Sequence, residues 1–171
     1  VKKDNNGHVK YNKLLAENLY MCIATATGTG DPWISQVYFV ADNKQNFYWY
    51  SSVNARHSRL IAENNKIAFS IFNSTAVGDD VQALYVKATC TVVTDMKTLI
   101  AALTLYAKKM LKTGFVANLK EISHFVLNFK DFLGKSELRL YKAVPYEASM
   151  LSESKMFNGK YVDQRETLDL I

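Results

Sequence analysis

The strongest chemical signal in the chain is nine residues long: Tyr50-Ser51-Ser52-Val53-Asn54-Ala55-Arg56-His57-Ser58. An aromatic run closes on hydroxyls, and Arg56 and His57 follow where a helical pattern begins. Cations in the first turn of a helix oppose the positive end of its dipole. An anion at the same place removes the conflict. Backbone N–H groups, serine hydroxyls and a forked guanidinium would then converge on a phosphate. The same two residues also suit a plain solvated Arg-His pair, and on their own they leave both readings open.

Other residue types capable of chemistry are placed less suggestively. Cys22 and Cys90 sit in apolar, strand-like runs, which suits buried small hydrophobes in a reducing compartment. His8, His57 and His124 are far apart, and none has ligand spacing with a cysteine or carboxylate, so a metal site is not expected. Asp79-Asp80 are neighbours in a loop, where adjacent side chains do not face one site. Gly28-Thr29-Gly30 reads as a hairpin turn and matches no phosphate-binding or dinucleotide fingerprint. Lysines are spread along the chain; Lys108, Lys109 and Lys112 form the tight cluster and read as a solvated helix face. A net charge of +5 admits an anionic partner, but the spread of that charge does not favour nucleic acid.

These residues need elements to hold them. The chain has 171 residues, 49% hydrophobic and 22% charged, ordinary values for one globular domain spanning residues 1–171. Residues 1–7 read as a loose end. A helical pattern runs from His8 to Asn18, with Val9, Leu14 and Leu15 toward one face. Strands are predicted over Leu19–Thr27, Trp33–Ala41 and Asn46–Ser52, an antiparallel meander with a hairpin loop at Asp42–Asn46. Asn54 can cap a helix over 54–65 that buries Leu60 and Ile61. Lys66–Asn73 is a strand apolar on both faces, and Ser74–Asp80 a loop. Gln82–Asp95 alternates cleanly, with Leu84, Val86, Ala88, Cys90 and Val92 on one face. Asp95 can cap a helix over Lys97–Lys112 that buries Leu99, Leu103, Tyr106 and Met110, with Gly114 ending it. A second short helix over 118–129 completes a helical insertion at 97–129. Glu137–Val144 is a strand stopped by Pro145, and the tail adds a last strand near Tyr161-Val162 or Thr167–Leu170. Six or seven mostly antiparallel strands with helices outside predict a closed or partly closed barrel. Strands apolar on both faces need cover on both sides, which a dimer partner can supply. Apolar runs are too short to span a bilayer and there is no signal-peptide pattern, so a cytoplasmic protein without membrane contact is expected.

The order of these features carries a resemblance. The small-residue strand Cys22-Ile23-Ala24-Thr25-Ala26 is followed by a turn and Trp33-Ile34-Ser35-Gln36-Val37-Tyr38-Phe39. Then come an aromatic strand, Ser51, Arg56-His57 and Glu63-Asn64-Asn65-Lys66-Ile67-Ala68-Phe69. From about Leu19 to Asp95 the chain resembles the pyridoxamine 5′-phosphate oxidase-like family of FMN-binding split barrels. Arg56-His57-Ser58-Arg59 is similar to the Arg-His variant of uncharacterised bacterial members. The resemblance implies a mainly β, antiparallel split barrel with flanking helices, and a homodimer with FMN at its interface. It implies that Ser35, Gln36 and Val37 lie along the isoalloxazine, and that Tyr50 and Ser51 match the family's Tyr-Thr pair near the phosphate. Arg56 and His57 match its Arg-Lys clamp, and Gln82 or a neighbour matches a Gln facing the flavin.

Departures from the family pattern bear on the substrate. The oxidases' second-strand Lys falls on Val40 and their Arg on Ser35. Their C-terminal Arg-Leu segment is not visible in Arg165-Glu166-Thr167-Leu168-Asp169-Leu170-Ile171. Oxidation of pyridoxamine phosphate is therefore not expected. His57 replaces a fixed charge with a ring of unperturbed pKa about 6.5, so it is expected to add attraction for phosphate when protonated. The resemblance implies an FMN-dependent oxidoreductase acting on an unidentified small molecule, with a nicotinamide donor as one source of electrons. A non-catalytic flavin-binding or stress-related module, a barrel holding haem or a deazaflavin, and a basic nucleic-acid interaction protein stand as alternatives.

Overall fold

Alternating side chains drive one face of each strand into a shared interior. A computed structural model describes residues 5–77, 81–116, 118, 120, 123 and 128–170. Among them are α1 (Asn5–Glu17), β1 (Tyr20–Ala26), β2 (Pro32–Tyr38), β3 (Val40–Ala41), β4 (Phe47–Ser52), α2 (Arg56–Glu63) and β5 (Lys66–Phe72). They are followed by β6 (Ala83–Val92), α3 (Met96–Lys112), a 3₁₀ turn (Phe129–Phe132), β7 (Leu138–Phe157) and β8 (Lys160–Thr167). The strands form one antiparallel sheet in the order β2-β1-β5-β6-β7-β4-β3, with β8 added along β7. β2 and β3 stand at opposite ends of this path, yet a single residue, Phe39, joins them. The sheet therefore curls round on itself and is split at Phe39, giving an antiparallel split barrel with helices outside.

The interior is filled by Met21, Ile23, Phe47, Trp49, Ile71 and Leu84, none more than 1% exposed. A second apolar cluster lies outside the barrel wall, where Leu99, Leu103 and Tyr106 of α3 pack on Val40, Tyr48 and Leu140. This explains why Phe47, Tyr48 and Trp49 are all buried: alternate residues of β4 face the interior and α3. For β4, α3 supplies the second cover that the apolar pattern assigns to a partner.

Two α3 side chains staple the split. The Tyr106 hydroxyl reaches the carbonyls of Tyr38 at 2.7 Å and Tyr48 at 3.2 Å. Lys109 Nζ donates to Asn18 O and Phe39 O, both at 2.8 Å, and lies 3.7 Å from the centre of the Phe39 ring. Burial pulls the Lys109 amine down to about 8. The reading of Lys108, Lys109 and Lys112 as one solvated face is thus corrected at Lys109, which turns inward to the carbonyls of Phe39, at the break, and Asn18, between α1 and β1.

Several other expectations are corrected. The run Trp33–Ala41 is two strands, and the meander is not continuous: β4 pairs with β3 and β7. α1 begins at Asn5, within the end expected to be loose, and buries Tyr11 and Leu14 while Val9 is exposed. Ala55, not Asn54, is the N-cap of α2. Val93, not Val92, is buried after Cys90, because its N–H leaves the alternation to bond Leu140 O at 2.8 Å. β7 runs through Pro145 because the register with β6 shifts between Lys87 and Ala88, a bulge that tolerates a missing N–H. β8 follows a turn at Asn158-Gly159, where both residues have positive φ (49° and 75°), as an Asn-Gly hairpin favours. Gln82 precedes β6 and Asp95 follows it. By contrast, Asp95 does cap α3, accepting from Thr98 N at 2.8 Å, and Gly114 follows with φ of 70°. Asp79, Asp80, His124 and most of the proposed 118–129 helix lie outside the described residues.

Candidate cofactor site

β2, β4 and α2 bring the chemical residues together at one mouth of the barrel. In β2, Trp33, Ser35 and Val37 share the inward face, since their partners in β1 are Thr25, Ile23 and Met21, all buried. In β4, Ser51 lies on the inward side with Trp49. α2 then lays His57 across the opening. His57 is 8% exposed. Its Nδ1 is 3.2 Å from Ser35 Oγ and its Nε2 2.9 Å from Ser51 Oγ. Trp33 Nε1 donates to Ser35 Oγ at 3.0 Å. With Nε2 protonated, the bonds run from the indole to Ser35, from Ser35 to Nδ1, and from Nε2–H to Ser51. The Ser51 hydroxyl hydrogen is then left for a further acceptor. Burial lowers the His57 pKa, which disfavours the imidazolium. The ring bridges the Ser35 and Ser51 hydroxyls, a placement that works against the expected imidazolium clamp.

Arg56 lies beside this chain of bonds. Its guanidinium carbon is 4.2 Å from the centre of the Trp33 ring, and Nη2 is 3.4 Å from Asp31 Oδ2. Both ionic side chains are about half exposed or more, at 49% and 65%. α2 starts without a side-chain cap and with no acidic residue in its first turn. Open N–H groups, a permanent cation and the Ser51 hydroxyl fit an anionic group, phosphate included. Sequence reasoning missed Trp33 and Asp31. A signal existed for Trp33, an aromatic two positions before Ser35 and so on the same face.

The other candidates stand apart from this cluster. Val37 is packed in the core, leaving its main chain to make contacts. Gln36 and Tyr50 point to the opposite faces of their strands: Gln36 Nε2 lies 3.7 Å from Cys22 Sγ, and Tyr50 packs on Tyr106 and Phe132. Gln82 precedes Ala83, which pairs with Phe72 at the end of β5 remote from α2; its Oε1 is buried without a hydrogen-bond partner. Both cysteines are free. Cys90 is 1% exposed, with burial pushing its thiol to about 12, whereas Cys22 is only half-buried, on the outward face. Among the described residues no cluster of His, Cys, Asp or Glu could hold a metal ion, and no helix is long and apolar enough to cross a membrane.

An antiparallel split barrel with an anion-ready helix start at its mouth defines the structural class. The sequence profile of the pyridoxamine 5′-phosphate oxidase family matches residues 8–129, and the chain belongs to that family. No curated protein sequence matches it significantly. Solved structures agree on the fold. The haem storage protein HutZ of Vibrio cholerae superposes with TM-score 0.58 at 17% identity, over 80% of this chain and 88% of its own. A haem-binding protein of Mycobacterium smegmatis gives 0.61 at 16% identity, over 92% of this chain and 56% of its own. A Listeria innocua protein described as a candidate pyridoxamine 5′-phosphate oxidase gives 0.57 at 13% identity, over 85% and 98%.

Proposed function

We propose that the protein binds FMN, with the phosphate at Arg56 and the start of α2, and works as a cytoplasmic homodimeric oxidoreductase. The observation that carries this reading is the uncapped α2 start, with Arg56 held on Trp33 and His57 fixed between Ser35 and Ser51. Arg56 would grip phosphate oxygens through its fork. Ser51, accepting from His57 when Nε2 carries the proton, would offer its hydroxyl hydrogen. Ser35, Gln36 and Val37 would orient the ring through main-chain groups. When bound, FMN supplies hydride chemistry, and the chain supplies binding, orientation and exclusion of water. Val40 offers no cation to a phosphorylated pyridoxal compound, so the substrate is another small molecule.

The dimer reading rests on the outward face. Ile34, Phe72 and Tyr146 are 59%, 53% and 51% exposed. Cys22, Ala24, Ala68, Ser70, Ile34 and Tyr85 line a trough of about 330 Å³ there. A second copy would cover it.

The haem proteins among the structural neighbours give a second reading. Both nitrogens of His57 are engaged by hydroxyls, so this mouth offers iron no free imidazole. The absorption spectrum of the purified protein, with identification of the released cofactor, tests the choice. A flavin spectrum with FMN released supports the reading; a Soret band with no flavin released overturns it.

A further inference from the structure

We propose that Asp31 is an internal counter-ion that occupies Arg56 until an anionic ligand takes its place, with Trp33 as the platform on which that exchange occurs. The inference rests on the FMN reading and adds a device that sets selectivity for charged ligands. The backbone that carries the Asp31 carboxylate is held in place. Its N–H donates to Thr27 Oγ1 at 2.9 Å, and its carbonyl accepts from Thr27 N at 3.0 Å. The turn that carries it is also fastened to the far end of α2, where Gly28 N donates to Glu63 Oε1 at 2.6 Å. The β1–β2 turn is thus clamped along α2, with one carboxylate near each end of the helix. The carboxylate near the helix start reaches Arg56, at the place where the uncapped N–H groups collect.

The geometry is that of a weak, replaceable pair. A separation of 3.4 Å with both partners well exposed is an ion pair of small net value. A phosphate dianion carries more charge and can accept two guanidinium hydrogen bonds at once, so it competes well. Trp33 keeps the guanidinium at the mouth during the exchange. The ring face holds Arg56 at 4.2 Å while the indole N–H is tied to Ser35. A ligand without an anionic group would gain nothing from displacing Asp31.

The test compares FMN with riboflavin, which has the same ring and ribityl chain but no phosphate. Both are titrated into the wild type, Asp31→Asn, Trp33→Ala and Trp33→Phe at low salt, followed by flavin fluorescence. Asp31→Asn is expected to bind FMN about two- to fivefold tighter, the range set by an exposed ion pair, with riboflavin unchanged and the gain shrinking in high salt. Trp33→Ala is expected to weaken FMN more than riboflavin, and Trp33→Phe, which keeps a ring face, to recover most of the loss. If the wild type binds FMN but Asp31→Asn binds it no tighter, or tightens riboflavin equally, the counter-ion inference is overturned and the FMN reading stands. Equal weakening of both ligands by Trp33→Ala overturns the platform. Failure of every variant and the wild type to bind FMN overturns both the inference and the reading beneath it.

Discussion

His57 is a titratable residue whose burial disfavours its charged form, and that has a measurable sign. Burial lowers its pKa from the usual 6.5. A folded value below the unfolded one means the unfolded chain binds more protons in that range. The stability His57 contributes is therefore complete above pH 6.5 and is lost as pH falls through the folded value. Denaturant unfolding at pH 7.5 and pH 5 should show a smaller acid loss for His57→Gln than for the wild type; equal losses would contradict the assignment. By the same argument, any effect of this variant on FMN affinity should be about the same factor at pH 8 and pH 7.5. The sequence made Arg56 and His57 visible as a pair but gave them one role. Their environments separate them, Arg56 exposed on an indole and His57 sealed between two hydroxyls. Neither environment could be read from residues 50–58, because Ser35 and Trp33 arrive from another strand. Alternation, by contrast, was enough to show that Gln36 and Tyr50 could not share a face with Ser35 and Ser51.

At the scale of elements, α3 closes what the strands leave open. Lys109 donates to one carbonyl at the break, that of Phe39, and to that of Asn18 between α1 and β1, and a variant without its amine removes both bonds. An unsatisfied buried polar group costs roughly 1–3 kcal/mol. Lys109→Met should therefore lower unfolding free energy by about that amount, while Lys108→Met, on the exposed side, should change it by no more than about 0.5 kcal/mol. Equal effects in a urea titration would mean that Lys109 is solvated. The helix itself was legible: Asp95, the apolar spacing and Gly114 all act as local signals and all hold. Its partner was not, because Trp33–Ala41 reads as unbroken β sequence and nothing local marks Phe39 as the residue where pairing stops. Pro145 misled for the opposite reason. It is a strong local stop, overruled by a bulge that depends on β6. Asn158-Gly159, a strong local hairpin signal that the reading of the tail did not use, forms the β7–β8 turn.

For the whole molecule, the barrel and its family follow from the order of motifs between Leu19 and Asp95, and the family profile extends over residues 8–129. The outward face, with Ile34 and Phe72 more than half exposed, predicts a two-fold dimer burying more than about 1,200 Å². Light scattering at micromolar concentration should give twice the 19.4 kDa chain mass, and a monomer would contradict it. The account turns on Arg56 as the residue that grips an anionic cofactor. A charge-assisted hydrogen bond of this kind contributes roughly 1.5–3 kcal/mol. The most direct measurement is the FMN affinity of Arg56→Ala against wild type by flavin fluorescence, with circular dichroism confirming that both are folded. A loss of about 10- to 150-fold, the equivalent of that energy, is predicted. Equal affinities in two folded proteins would contradict the phosphate site, and with it the placement of FMN at the start of α2.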